Sequence, residues 1–231
     1  SDDPYFRIIE LEHAPQTGMF IVDWSDIGEC HENDGVHRSS GRIFLVRWNG
    51  SDGQVPADLT TLSDVELVQL QRQPREWPAR TARRVLQERA VDGRDMTAAA
   101  DALRELLEDA DPVLVLRGLW GLHVTDTITA ADIDAALSHK SEYVRVWGIR
   151  LAAEYGHLPV NESLAARFAD RAANDPSALV RHWLASSLSR FEPQQRMPVA
   201  LALAGRADDA DDPRQTLMLW YGIEDAITST P

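Results

Sequence analysis

The sequence predicts a mainly α protein, an α-α superhelix of about five helix pairs preceded by a small antiparallel β segment. Three observations predict it. A heptapeptide recurs as Asp111-Pro112-Val113-Leu114-Val115-Leu116-Arg117, His139-Lys140-Ser141-Glu142-Tyr143-Val144-Arg145 and Asp175-Pro176-Ser177-Ala178-Leu179-Val180-Arg181. A fourth copy opens at Asp212-Pro213 and carries Met218 in place of the arginine, so the copies begin 28, 36 and 37 residues apart. Periods of that size belong to helical arrays that bury their core between stacked neighbours. The second observation is a run of capped helical segments from Thr61 onward, and the third is a set of short aromatic and β-branched runs before it.

Those runs are Phe6 to Leu11, Met19 to Trp24 and Arg42 to Trp48, and they read as strands of a β segment over 1–58. Pro15-Gln16-Thr17-Gly18 between the first two suits a hairpin. Three strands alone leave open edges and require a neighbour.

The helical domain covers 59–231. Its expected pairs are 61–72 with 76–90, 96–109 with 112–124, 129–138 with 141–156, 162–174 with 177–190, and 194–206 with 213–228. Thr61 with Asp64, Thr129 with Asp132, and Asn161 before Glu162 are the expected caps of first helices. Asp-Pro at 111, 175 and 212 is a cap followed by proline at the first helical position, where the missing N–H is harmless. Six residues separate Asp111 from Arg117 and Asp175 from Arg181, which sets a carboxylate before a helix and a guanidinium about one and a half turns in. Asp111, Arg117, Arg145, Asp175 and Arg181 therefore form a candidate structural ladder between repeats, with an anion site as the alternative. Trp147, Trp183 and Trp220 share the repeat spacing and read as an apolar seam or as the lining of a ligand groove.

Composition narrows the partners. The net charge is −14, from 37 acidic and 23 basic residues, which disfavours nucleic acid and anionic membranes. No apolar run is long enough for a membrane span. Cys30 is the one cysteine, so no internal disulfide framework exists.

Candidate chemistry is concentrated between Asp23 and Arg42, which holds one thiol, two imidazoles and five carboxylates. Asp26, Cys30, His31 and His37 are the candidate ligands of a metal ion, although their spacing matches no common zinc signature. The other reading is a polar loop that hydrogen-bonds its own backbone. Ile27 stands where covalent haem attachment needs a first cysteine, so Cys30-His31 is not a c-type haem site.

The Asp-Pro-to-Arg sentence resembles the HEAT repeat family over about residues 61–228, with Arg80 as the matching arginine of the first pair. That resemblance implies a scaffold for contacts with proteins or neighbouring domains. A second resemblance rests on Asp2 to Arg7, Val22 to Asp26, Gly28 to His31, Asp34 to Phe44, Leu62 to Val68 and Trp77 to Leu86. These look like the final propeller blade and repeat junction of large exported, membrane-bound dehydrogenase-like proteins of planctomycetes and verrucomicrobia. In those proteins a propeller similar to sugar or sorbosone dehydrogenases precedes HEAT-like repeats and a cytochrome c domain. The resemblance implies export to the periplasm or cell surface, and haem only in a separate domain. It also frames two functions: a non-catalytic scaffold between propeller and cytochrome or partner protein, or a fragment of a secreted quinone- or metal-dependent sugar or alcohol oxidoreductase completed by missing blades.

Overall fold

Three strands followed by helices make up the computed structural model, which describes residues 6, 8–14, 18–24, 41–47, 58–154 and 162–229. Strands β1 (Ile8–Ala14), β2 (Gly18–Asp23) and β3 (Arg42–Val46) form one antiparallel sheet in the order β1-β2-β3. Pairing runs to Ala14 opposite Gly18, so β1 and β2 close as the expected hairpin around residues 15–17, which lie outside the described residues. Gly18 has φ +137°, and a Cβ there would fall 1.9 Å from the Val46 carbonyl oxygen. Only glycine tolerates both conditions.

Register sets Leu11, Ile21 and Phe44 on one face and Phe20 and Leu45 on the other. Leu11 and Phe20 are both exposed, so neither face is fully covered. Asp23 is opposite Arg42 in the ladder and accepts its Nε–H at 2.8 Å, with Phe6 edge-on to Phe44 nearby. Contacts divide the chain into residues 1–61 with 75–77, and residues 62–74 with 78–231.

Among the described residues there are ten α-helices in five pairs, a mainly α fold after a small β segment. Helix α1 (Asp64–Gln69) runs on through a 3-10 turn to Arg72 and is followed by α2 (Glu76–Val91). Next are α3 (Thr97–Leu107) with α4 (Pro112–Val124), and α5 (Ala130–Leu137) with α6 (Glu142–Ala152). The last two pairs are α7 (Glu162–Asn174) with α8 (Ala178–Ser187), and α9 (Pro193–Ala204) with α10 (Pro213–Ser229).

The caps explain where the helices begin. Thr129 and Asp132 form the expected reciprocal box at α5, and Asp111 caps α4 ahead of Pro112. Two expectations change. Ser63 with Glu66, rather than Thr61 with Asp64, caps α1, because Ser63 Oγ reaches the Glu66 N–H. At α8, Asp175 accepts the Ser177 N–H, and Ser177 then caps a helix that starts at Ala178. Helix α6 ends at Ala152, short of the expected 156, and Asn161 lies outside the described residues.

Successive pairs stack, with α4 on α6, α6 on α8 and α8 on α10 making a layer of second helices. First helices pack likewise, α1 on α3 and α7 on α9. Between the layers Leu67, Leu86, Leu103, Leu119, Leu122, Ile133, Leu137, Ile149, Leu184 and Leu188 are fully buried, each stabilising the fold by about 1.5–3 kcal/mol. Phe168 stacks on Phe191 with centroids 5.2 Å apart. No described helix is long and apolar enough to cross a membrane.

Close approach of α3 to α4 depends on Gly118, where a Cβ would meet the Leu103 carbonyl oxygen at 2.9 Å. Gly118→Ala gains up to about 1 kcal/mol of helix propensity but forces two backbones apart, at about 1–3 kcal/mol. A net loss of stability of about 1 kcal/mol is expected in urea unfolding. A gain would show that the two helices separate without cost.

Candidate interaction surface

Two charge systems run through the helical unit, one buried and one on the surface. The buried system is built on the inter-helix corners. Arg145, on α6, donates from Nη1 to the His139 and Lys140 carbonyls of its own corner, at 2.9 and 3.0 Å. Its Nε and Nη2 make a fork onto Asp175 of the next corner, at 2.7 and 2.8 Å. The Asp175 side chain is fully buried, and it also accepts the Ser177 N–H at 3.0 Å. Burial pushes this carboxyl upward, but the Arg145 fork, the Ser177 N–H and nearby Arg171 outweigh it and hold it below its ordinary value.

Arg181 repeats the pattern one pair later. Its Nη1 donates to the Asp175 carbonyl at 2.8 Å, and its Nε and Nη2 each reach Asp209 at 2.5 Å. The fork holds the Asp209 carboxyl down and raises the already high Arg181. Asp209 is three residues before the Asp212 of the repeated sentence; Asp212 instead accepts the Arg214 N–H.

The remaining ladder residues take other places. Asp111 is exposed, accepts the Val113 N–H, and makes no ion pair among the described residues. Arg117 is buried and turns back to the preceding corner, where Nη1 donates to the Gln71 and Gln73 carbonyls at 2.6 and 2.7 Å. At the following corner His139 stands where the other copies carry aspartate. His139 Nδ1 accepts the Ser141 N–H at 3.0 Å, the same turn that Asp111, Asp175 and Asp212 close with carboxylates. Burial, then the charges of Lys140 and Arg145, hold the imidazole below its ordinary 6.5. In the first pair Arg80 is exposed, and Arg83 takes the inward role by donating to buried Gln71 Oε1 at 3.3 Å.

The surface system lies along the layer of second helices. Trp120 on α4 meets Trp147 on α6 edge to face, centroids 5.1 Å apart. The Arg83 guanidinium lies 5.1 Å from the Trp120 centroid. Arg150, one turn after Trp147, has its guanidinium carbon 3.8 Å from the Trp147 centroid and 4.5 Å from that of Trp183 on α8. All three indoles are half-buried, and Trp220 on α10 is 53% exposed. The tryptophans are thus not a fully buried apolar seam: Arg150 lies over both Trp147 and Trp183, and Trp220 is exposed, as are Leu217 and Tyr221.

Neither Trp120 nor Arg150 was selected by repeat spacing. Trp120 stands 27 residues before Trp147, off the 36 and 37 of the others, and Arg150 is found only by its i,i+3 placement on the Trp147 face.

Asp26, Cys30, His31 and His37 lie outside the described residues, and the Asp23–Arg42 pair ties the ends of their segment. Among the described residues no three His, Cys, Asp or Glu side chains gather as metal ligands. The chain matches no model of a known protein family, and no curated protein matches it.

Two predictions come from the buried system. Asp175→Ala strands Arg145 in the interior and is expected to cost about 3–5 kcal/mol, against about 1 kcal/mol for the cap residue in Asp111→Ala. Urea midpoints of the two variants measure this, and equal losses would remove the distinction. His139 concerns pH. Folding lowers its proton affinity, so its contribution is complete above pH 6.5 and is lost as pH falls through the lower folded value. His139→Asn keeps an acceptor without titrating, and its stability is expected to stay flatter than wild type over that window. Asp175 and Asp209 add a further loss only below 3.8.

Proposed function

We propose that this chain is a non-catalytic interaction module, a scaffold whose second helices hold a partner protein or neighbouring domain. The observation that carries the reading is the row Trp120, Trp147, Arg150 and Trp183, half-buried along one layer. Tryptophan and arginine dominate the energetics of protein interfaces, because each supplies large contact area together with a polar handle. The forks of Arg145 and Arg181 by contrast are directed at groups inside the fold and serve the stacking of repeats. Resemblance to propeller, HEAT and cytochrome c proteins supports a more particular role, positioning a dehydrogenase-like propeller against a cytochrome domain. In that role haem belongs to the cytochrome and any metal to the 23–42 segment, with none in the repeats.

Hydroxyl-radical footprinting tests the reading. Trp147, Trp183 and Trp220 are expected to be oxidised readily in the isolated chain and protected in the polypeptide encoded by the whole reading frame or in its partner complex. Equal labelling in both sinks the module, as does turnover of a sugar or alcohol by the isolated chain with added quinone and electron acceptor.

A further inference from the structure

Arg150 differs from the arginines of the ladder in how its donors are used. Arg117, Arg145 and Arg181 direct their N–H groups at carbonyls and carboxylates. Among the described residues Arg150 makes no hydrogen bond or ion pair, and its contacts are two indole rings, at 3.8 and 4.5 Å. This is so in a chain with 37 acidic residues, where carboxylates are plentiful. The indoles hold the guanidinium by cation–π attraction and shield it from water, while its N–H donors stay available.

We propose that Arg150, held by Trp147 and Trp183, receives one carboxylate of a partner peptide whose flanking side chains are apolar. The inference rests on the interaction-module reading and names the chemistry of its partner. A carboxylate suits the site because a guanidinium offers it two parallel, charge-assisted hydrogen bonds, strengthened where rings have displaced water. Apolar flanks suit it because two half-buried indoles adjoin the cation. The net charge of −14 narrows the class further: repulsion from the chain grows with the number of acids in the peptide, so a single carboxylate is opposed least.

The test uses two pools of short peptides, randomised with apolar residues around a central Glu or a central Gln, passed over the immobilised full chain at physiological ionic strength. The Glu pool is expected to be retained about tenfold more than the Gln pool. Arg150→Gln should abolish the preference, and Arg214→Gln, at an exposed site on α10, should keep it. Because Arg150 makes no internal hydrogen bond, the variant should fold as wild type, which circular dichroism checks. A preference surviving Arg150→Gln overturns the assignment. Equal retention of both pools by wild type overturns the carboxylate while leaving the interaction module intact. Failure to retain either pool overturns the inference, and footprinting decides the module separately.

Discussion

The fork from Arg145 to Asp175 is the contact on which the stacking of the central repeats depends. One guanidinium closes its own corner through the His139 and Lys140 carbonyls and grips the next corner through a buried carboxylate. That carboxylate in turn fixes the Ser177 N–H at the entry to α8. Isolated helices of ten or so residues are marginal in water, and α6 and α8 are of that size. Their order therefore comes from packing, and the rung sets which surfaces pack. A buried ion pair adds little net stability over an apolar contact of equal volume, because two charges must leave water. What it supplies is geometry: a misplaced repeat would leave both charges buried and unpaired.

The same constraint explains the variation between repeats. Each corner needs an acceptor for the N–H two residues on, and both carboxylate and neutral imidazole provide one. Charge is needed only where the preceding arginine points forward. Arg117 donates to carbonyls of the first corner, and His139 at the next corner accepts the Ser141 N–H as a neutral imidazole. Arg117, Arg145 and Arg181 thus direct donors at groups inside the array. Arg150 on the surface differs, since its guanidinium lies over two indole rings.

Five helix pairs, their approximate limits and the three strands were legible from periodicity, proline and the repeated sentence. These signals are local: a cap followed by proline, or apolar residues at helical spacing, acts through the nearest turn of chain. Errors fell where two local signals competed. Thr61 and Ser63 both suit a cap, and the Glu66 carboxylate selected Ser63; Asp175 and Ser177 both suit a cap, and Asp175 was drawn to Arg145. The candidate site was less legible. Trp147 and Trp183 were found by spacing and read as an apolar seam or the lining of a groove, whereas Trp120 and Arg150 were missed because neither obeys the repeat period.

By itself the sequence determined the fold class and the number of pairs, because a cap, a turn and an apolar stripe are properties of a few adjacent residues. Only the tertiary structure decided which acid each arginine meets and which indoles remain on the surface. Partner choice for a long side chain depends on distances between residues some thirty positions apart, and those exist only once the helices have stacked.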